Sequence, residues 1–168
     1  QSGMGRATAL LFADEGAHVA VTDLDLARVN EVVDRINGAG GSAVGYRLDV
    51  TNADERRAVV ADIAQRWGGL DILVNNASGF GRTDDEEGWA LSIQVDLMPT
   101  VRACHAAMPF LEKQGGSIIH ISSISGLKAS VRTPPYGAIK AALIEYTQTQ
   151  ALTHASKKIR VNCIAPGS

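Results

Sequence analysis

Residues 70–77 read LDILVNNA, in which three consecutive apolar residues, Ile72 to Val74, run into two asparagines. An apolar run without polar alternation is typical of a strand buried on both faces of a parallel sheet. Ile118 and Ile119 belong to a second run of this kind. Together with three further β-rich runs, they predict strands at His18–Asp23, Ala43–Asp49, Leu70–Asn75, Ser117–Ser122 and Arg160–Ile164.

Helical patterns separate these strands, and several of them end at a glycine, the usual C-terminal stop of a helix. Strands that alternate with helices predict a doubly wound α/β domain, in which helices cover both faces of a parallel sheet in three layers. Because the chain carries no repeat or linker, we expect one domain over residues 1–168. The predicted helices are Gly5–Glu15, Asp25–Ile36, Asp54–Trp67, Glu87–Gln114 and Tyr136–Ala155.

Both ends of the sequence are unusual for such a domain. The chain begins inside a predicted strand-to-helix turn, and it stops at Pro166-Gly167-Ser168, just after a strand. A doubly wound sheet carries its first strand in the middle. We therefore expect that the first and last strands are missing, that the sheet is divided, and that this sequence is an incomplete part of a longer polypeptide.

The composition argues against several classes of function. A net charge of −2 gives no electrostatic basis for binding nucleic acid or an anionic membrane surface. No apolar stretch approaches the ~18 residues that a membrane helix needs. The two cysteines, Cys104 and Cys163, are far apart, so neither a disulfide framework nor a metal site is expected. Free thiols favour a cytoplasmic protein.

The N-terminal residues resemble a phosphate-binding turn. Two glycines precede an apolar helix, and glycines let the backbone approach a pyrophosphate at the unpaired N–H groups of a helix N-terminus. By itself, a Gly-x-Gly before a helix is also an ordinary turn. The candidate cofactor-binding residues here are Ser2, Gly3, Met4 and Gly5.

An acidic residue at the end of the next strand strengthens this interpretation. Asp23 lies 18 residues after Gly5, close to the spacing of ~20 at which a carboxylate accepts hydrogen bonds from the adenosine ribose of a dinucleotide. The same carboxylate repels a 2′-phosphate, which favours NAD over NADP. Arg6 keeps NADP open, because an arginine can meet that phosphate, and Asp23 can also be a solvated loop acid.

Two further strand ends carry candidate cofactor contacts, because ligands of open α/β sheets bind at the carboxyl ends of strands. Asp49, followed by Val50, can receive the adenine amino group or cap the helix that comes next. Asn76 and Ala77 form the second candidate site, and the alternative there is an Asx turn with capping amides.

The residues best suited to chemistry are Tyr136 and Lys140, which are four apart and lie on one face of a helix. Pro134 and Pro135 mark the start of that helix. Ser123 lies 13 residues before the tyrosine, at the end of a predicted buried strand. A phenol has a pKa near 10. A neighbouring ammonium and a cationic nicotinamide ring both stabilise the phenolate, so tyrosine can act as acid or base near neutral pH.

In the order and spacing of these residues, the chain resembles the classical short-chain dehydrogenase/reductase family over nearly all of its length. The resemblance implies a Rossmann-type fold and hydride transfer between NAD(H) and an alcohol or ketone. It implies that Ser123 orients the substrate oxygen, that Tyr136 transfers the proton, and that Lys140 binds the nicotinamide ribose and lowers the tyrosine pKa. It also implies that Pro166 and Gly167 line the nicotinamide, and that the two long helices build a homodimer or homotetramer.

The chain departs from the family pattern in three places. The first glycine of the turn is missing, and the usual Asn-Ala-Gly ends here as Ala77-Ser78, where Gly79 can partly compensate. Asp96 stands where the family carries an asparagine that helps to hold a water of a proton relay. An ionised aspartate only accepts hydrogen bonds. It can still anchor the water, or pair with Lys140 and change its proton affinity, so Asp96 is a fourth candidate catalytic residue.

Two alternatives to an oxidoreductase remain open. A lyase or epimerase that retains NAD can use the same tyrosine and lysine, and a non-catalytic nucleotide-binding scaffold can keep the fold. The complete set of Ser123, Tyr136 and Lys140 argues against a scaffold, whereas Asp96 argues mildly for one. Residues 80–88 are expected to line one wall of the substrate pocket, but they do not identify the substrate.

Overall fold

The computed structural model describes residues 3–167 and divides the chain into two compact units at the boundary between Trp67 and Gly68. The helices are α1 (Gly3–Asp14), α2 (Leu26–Gly38), α3 (Ala53–Trp67), α4 (Glu86–Leu91), α5 (Met98–Gln114) and α6 (Pro134–His154). The strands are β1 (His18–Asp23), β2 (Ser42–Arg47), β3 (Ile72–Asn75), β4 (Gly116–Ile121) and β5 (Ile159–Ile164).

The first unit contains α1 to α3 and a two-stranded parallel sheet. In this sheet β1 pairs with β2, from His18 opposite Ser42 to Asp23 opposite Arg47. The α2 helix follows at once, because the Asp25 carboxylate accepts hydrogen bonds from the first free N–H groups of that helix. Asp23 therefore lies at the carboxyl end of β1, just before a helix N-terminus. The buried core joins the sheet to α2 through Val19, Val32, Ile36 and Ala43.

The second unit contains a three-stranded parallel sheet with β4 in the centre. One connection runs through α4 and α5, and the next runs through α6, so the carboxyl ends of all three strands lie at the same edge. The central strand is buried because helices pack against the apolar run that predicted it. The core here consists of Cys104, Ala107, Leu111, Ile118, Ile159 and Val161.

All five predicted strands are confirmed, and each boundary lies within two residues of the predicted one. As expected for a divided sheet, the described strands are hydrogen-bonded in two separate sheets, and every pairing is parallel. None of the helices within residues 3–167 is both long and apolar enough to cross a membrane.

The prediction of one continuous helix over Glu87–Gln114 is wrong. The α4 helix ends at Leu91, and a π-helical turn at Ser92–Leu97 separates it from α5. Pro99 has no N–H group, so it cannot donate to the carbonyl four residues earlier, and the regular helical ladder is interrupted. Such turns are frequent at functional sites, and this one carries Asp96.

Candidate active site

The loop after β4 holds Ser123 firmly in place. The Ser123 Oγ accepts a hydrogen bond from the Ser125 N–H at 3.1 Å. The neighbouring Ser122 hydroxyl donates to the Lys140 carbonyl at 2.7 Å. Gly126 approaches α6 so closely that a Cβ there would lie 2.6 Å from the Lys140 carbonyl carbon. The loop is thus fastened to the helix that carries the other predicted catalytic residues.

The structure brings the predicted trio together. The α6 helix begins at Pro134 and Pro135, two residues before the predicted start, because the first turn of a helix does not need their N–H groups. The Lys140 Nζ lies 5.3 Å from the centre of the Tyr136 ring. The Ser123 side chain is a hydrogen-bonding partner of the Tyr136 phenol. Serine and lysine therefore contact the tyrosine from two different elements.

Lys140 is buried and paired. Its Nζ lies 3.2 Å from the Asp96 Oδ1, and the two side chains are 3% and 0% exposed. The same Nζ donates to the Ile121 carbonyl at 3.0 Å. An ammonium has three N–H bonds, so one of them is not used by the residues that the structure describes. Of the two alternatives for Asp96, the structure has the direct pairing with Lys140.

Asp96 also joins the loop that follows the asparagines. The Ser78 hydroxyl donates to the Asp96 Oδ1 at 2.5 Å, and the Gly79 N–H donates to Oδ2 at 3.0 Å. Gly79 can come this close because it has no Cβ, which would lie 2.9 Å from the Val95 Cβ. Two departures from the family pattern, Ser78 and Asp96, therefore contact each other.

The pKa of Tyr136 is raised above its ordinary value, opposite to the expected lowering. Burial of the phenol is the largest cause, the hydrogen bond from Ser123 lowers the pKa, and the negative charge of Asp96 raises it further. The expectation rested on the positive charges of Lys140 and of a bound nicotinamide ring, and it did not include the negative charge of Asp96. That charge is largely compensated, because Asp96 lies beside it.

An aromatic contact next to Tyr136 was not predicted. The Phe80 ring packs edge-on against the Tyr136 ring, with 4.7 Å between the centroids and 81° between the planes. The Arg82 guanidinium lies over the Phe80 ring, 4.9 Å from its centre. Phe80 thus begins the stretch that was expected to line the pocket wall. The only sequence signal was an aromatic residue directly after the loop glycine.

The cofactor-binding candidates of the second unit lie at the carboxyl ends of its strands. Asn76 and Ala77 directly follow β3. Pro166 and Gly167 come after β5, and the Pro166 carbonyl accepts a hydrogen bond from the Ile124 N–H at 3.0 Å. This bond joins the Pro-Gly segment to the Ser123 loop. The predicted cofactor and catalytic positions of this unit therefore occupy one edge of its sheet.

A buried polar network lies behind this edge of the sheet. The Asn75 amide donates to Nδ1 of His120 at 3.2 Å, and Nε2 of His120 contacts the Gln150 Oε1 at 2.9 Å. These contacts need a neutral ring that donates from Nε2, and burial lowers the pKa of His120 accordingly. Burial also raises the pKa of the adjacent Cys104 thiol to about 11. The network fixes the end of β3.

Candidate phosphate-binding residues of the first unit lie at the start of α1. Ser2 lies outside the described residues. Gly3, Met4 and Gly5 form the first turn of α1, which begins two residues earlier than predicted. Their free N–H groups at a helix N-terminus have the chemistry that a pyrophosphate requires.

Asp23 and Arg6 bear on the choice between NAD and NADP. The Asp23 Oδ1 accepts a hydrogen bond from the Asp25 N–H at 3.0 Å. Its second oxygen accepts no hydrogen bond from the residues that the structure describes, so it is available to a ribose hydroxyl. The Arg6 guanidinium lies 2.9 Å from the Glu31 carboxylate. Arg6 is thus paired with an acidic side chain of α2, and Asp23 keeps one oxygen that the described residues do not use.

Asp49 stabilises the turn before α3. Its Oδ1 accepts hydrogen bonds from the Thr51 N–H at 2.8 Å and the Thr51 hydroxyl at 2.7 Å, which lower the pKa of Asp49. The capping of α3 itself falls to Asn52, which accepts from the first N–H groups of the helix. Val50 offers its carbonyl to Arg56 at 2.6 Å. No cluster of potential metal ligands occurs within residues 3–167.

Comparison with known proteins gives consistent matches. The family model for short chain dehydrogenases matches residues 1–168. The 3-oxoacyl-[acyl-carrier-protein] reductase FabG of Thermotoga maritima is 38% identical over 174 residues, which cover 99% of this chain and 70% of the relative. The human dehydrogenase/reductase SDR family member 4 is 37% identical over 171 residues, covering 98% of this chain and 62% of the relative.

Comparison with solved structures indicates the same family as the sequence matches. A 7α-hydroxysteroid dehydrogenase in complex with NADH and 7-oxo glycochenodeoxycholic acid has a TM-score of 0.94 at 32% identity, over 98% of this chain and 66% of that one. The chain spans 61 to 70% of the length of the curated relatives that it matches. The predicted Rossmann-type fold is confirmed, and the chain belongs to the short-chain dehydrogenase family.

Proposed function

We propose that the protein is an oxidoreductase that transfers hydride between NAD(H) and an alcohol or ketone. The observation that carries this proposal is the meeting of Ser123, Tyr136 and Lys140 at the carboxyl edge of the second sheet. The dehydrogenase and reductase names of the relatives support an oxidoreductase over the lyase and scaffold alternatives.

In this proposal, Ser123 and Tyr136 bind the oxygen of the substrate. In reduction, the phenol of Tyr136 donates its proton to the carbonyl oxygen while the Ser123 hydroxyl holds that oxygen in place. In oxidation, the phenolate takes the hydroxyl proton. The nicotinamide, when bound, supplies or receives the hydride at the substrate carbon. Lys140 uses its remaining N–H bond to hold a ribose hydroxyl, and Asp96 acts through Lys140.

We propose NAD rather than NADP as the cofactor. In the first unit, Gly3, Met4 and Gly5, preceded by Ser2, take the pyrophosphate, and Asp23 takes the adenosine ribose. The free oxygen of Asp23 and the pairing of Arg6 with Glu31 support this choice. In both units the remaining contacts come from Asp49, Val50, Asn76, Ala77, Tyr136, Lys140, Pro166 and Gly167.

We propose that the protein acts on a small alcohol or ketone, and that nucleic acid, a membrane surface and a metal have no role in its function. We propose a cytoplasmic homodimer or homotetramer in which α5 and α6 supply the contacts. We also propose that residues 1–168 belong to one dinucleotide-binding and catalytic domain.

Absorbance of the reduced nicotinamide tests the proposal. Purified protein is mixed with NAD and a panel of secondary alcohols, and with NADH and the matching ketones, in parallel with NADP(H). We expect turnover with at least one pair, faster with NAD(H), and none above background for Tyr136→Phe. Tight NADH binding without turnover of any compound would contradict an oxidoreductase of this substrate class.

A further inference from the structure

Two positions at which the chain departs from its family are in direct contact. Asp96 replaces an asparagine, and Ser78 replaces a glycine. The Ser78 hydroxyl and the Lys140 ammonium both reach the Oδ1 of Asp96, while Oδ2 receives the N–H of Gly79. Ser78 is itself exposed, yet its hydroxyl is directed at a carboxylate that has no contact with solvent.

This arrangement selects a carboxylate over an amide. Both oxygens of Asp96 face hydrogen-bond donors only, and a carboxylate accepts at either oxygen. An asparagine would have to place its NH₂ group against the Gly79 N–H in one orientation, or against the Lys140 ammonium in the other. In each orientation two donors would oppose each other. The contacts of Ser78, Gly79 and Lys140 therefore favour a negative charge at position 96.

The negative charge of Asp96 changes the electrostatic environment of the Tyr136 phenol. The Lys140 Nζ lies 5.3 Å from the centre of the Tyr136 ring, and the negative charge of Asp96 raises the pKa of the phenol. The Arg82 guanidinium lies over the Phe80 ring, 4.9 Å from its centre. A lone ammonium strongly favours a phenolate, whereas a buried ion pair has almost no net charge to offer.

We propose that Ser78 and Asp96 form one positioning unit, which balances the charge of Lys140 and makes Tyr136 lose its proton at a higher pH than an asparagine at position 96 would. The inference rests on the proposed role of Tyr136 as acid and base. The raised pKa of Tyr136, with Asp96 among its causes, is consistent with it.

Ultraviolet absorbance of tyrosinate measures this property without any turnover. The Tyr136 signal is obtained as the difference between each protein and its Tyr136→Phe counterpart during a pH titration. We expect Asp96→Asn to lower the midpoint of this signal by roughly one pH unit, because removing a like charge favours the phenolate. The alkaline limb of the kcat/KM profile for ketone reduction shifts in the same direction where turnover is measurable.

Two controls keep the result interpretable. Ser92→Ala removes a buried hydroxyl from the same π-helical turn, and that hydroxyl has no hydrogen-bond partner within residues 3–167. This variant leaves the midpoint unchanged. Asp96→Asn combined with Ser78→Gly carries the family residues at both positions, and we expect the same lowered midpoint even if Asp96→Asn alone folds poorly.

Ser78 is tested by its coupling to Asp96. We expect Ser78→Ala to lower the urea midpoint of unfolding when Asp96 is present, and to lower it by less than half as much in the Asp96→Asn background. An equal decrease of the urea midpoint in both backgrounds would overturn the inference. A pH midpoint of the Tyr136 signal that Asp96→Asn leaves unchanged would overturn it as well. A protein without turnover contradicts the proposed function, but its titration still decides the charge-balance question.

Discussion

Lys140 and Asp96 form an ion pair that is almost completely buried, with 3.2 Å between Nζ and Oδ1. Taking two charges out of water is costly, and their attraction offsets that cost only while both are present. The pair joins α6, which carries Tyr136, to the π-helical turn. It therefore holds Tyr136 and the turn in a fixed relation.

Removing one member of the pair is expected to destabilise the fold. Lys140→Met leaves Asp96 as a buried charge without its cation, which lowers the free energy of unfolding by about 3 kcal/mol. Adding Asp96→Asn restores at least half of that loss. Urea unfolding of both variants checks this, with the exposed Lys113→Met as a control that changes little. Strictly additive losses would show that the two side chains are not coupled.

Ser123→Ala is expected to reduce kcat/KM by roughly 100-fold, because one donor to the reacting oxygen is lost. The Ser123 hydrogen bond also lowers the pKa of Tyr136, so the alkaline limb of the pH profile for ketone reduction moves to higher pH in the variant. Steady-state kinetics across pH measure both effects. Ser117→Ala, at the opposite end of β4, serves as the control. A profile that keeps its position would contradict the proposed contact with the phenol.

Asp23→Asn is expected to relax the choice of cofactor. The amide no longer repels a 2′-phosphate and holds the ribose hydroxyls less well, so the ratio of kcat/KM for NAD to that for NADP falls roughly 10-fold or more. Parallel assays with the two cofactors give this ratio. Asp25→Asn, two residues further on, is the matched control. An unchanged ratio would assign Asp23 to the solvated loop instead.

The buried His120 is expected to make the fold sensitive to acid. Its pKa is lowered by burial, so the unfolded chain binds the proton more readily than the folded one. Stability is therefore complete above the ordinary histidine pKa of about 6.5 and falls as the pH drops below it. Urea midpoints at high and low pH measure the loss. His120→Asn flattens this dependence, whereas the exposed His105→Asn retains it. Equal slopes for both variants would contradict the prediction.

The sheet was predictable because its strands carry a local signal. The run from Ile72 to Val74, for example, is continuous and apolar and ends at two asparagines. The break between α4 and α5 was less visible. Pro99 interrupts the hydrogen-bond ladder of the helix. The helical sequence pattern nevertheless continues up to this proline, so the pattern alone did not reveal two separate helices.

The candidate catalytic trio could be predicted from the spacing of its residues in the sequence, whereas the side chains that surround it could not. Tyr136 and Lys140 are neighbours on one helix turn, so their proximity follows from local geometry. Ser78 and Asp96 are 18 residues apart and meet only because Gly79 lets a loop approach the π-helical turn. No periodicity in the sequence encodes such a contact. For the same reason, the direction of the Tyr136 pKa could not be read from Lys140 alone.

Deuterium transfer tests the proposed hydride transfer most directly. The protein is incubated with NADH that carries deuterium at the reactive carbon of the nicotinamide, together with the ketones of the panel, and the alcohols are examined by mass spectrometry. We predict deuterium on the carbinol carbon with wild-type protein, formed at least about 100-fold more slowly by a folded Tyr136→Phe variant. Alcohol without deuterium, or equal rates for the two proteins, would contradict the assignment of Tyr136 to proton transfer in a nicotinamide-dependent reduction.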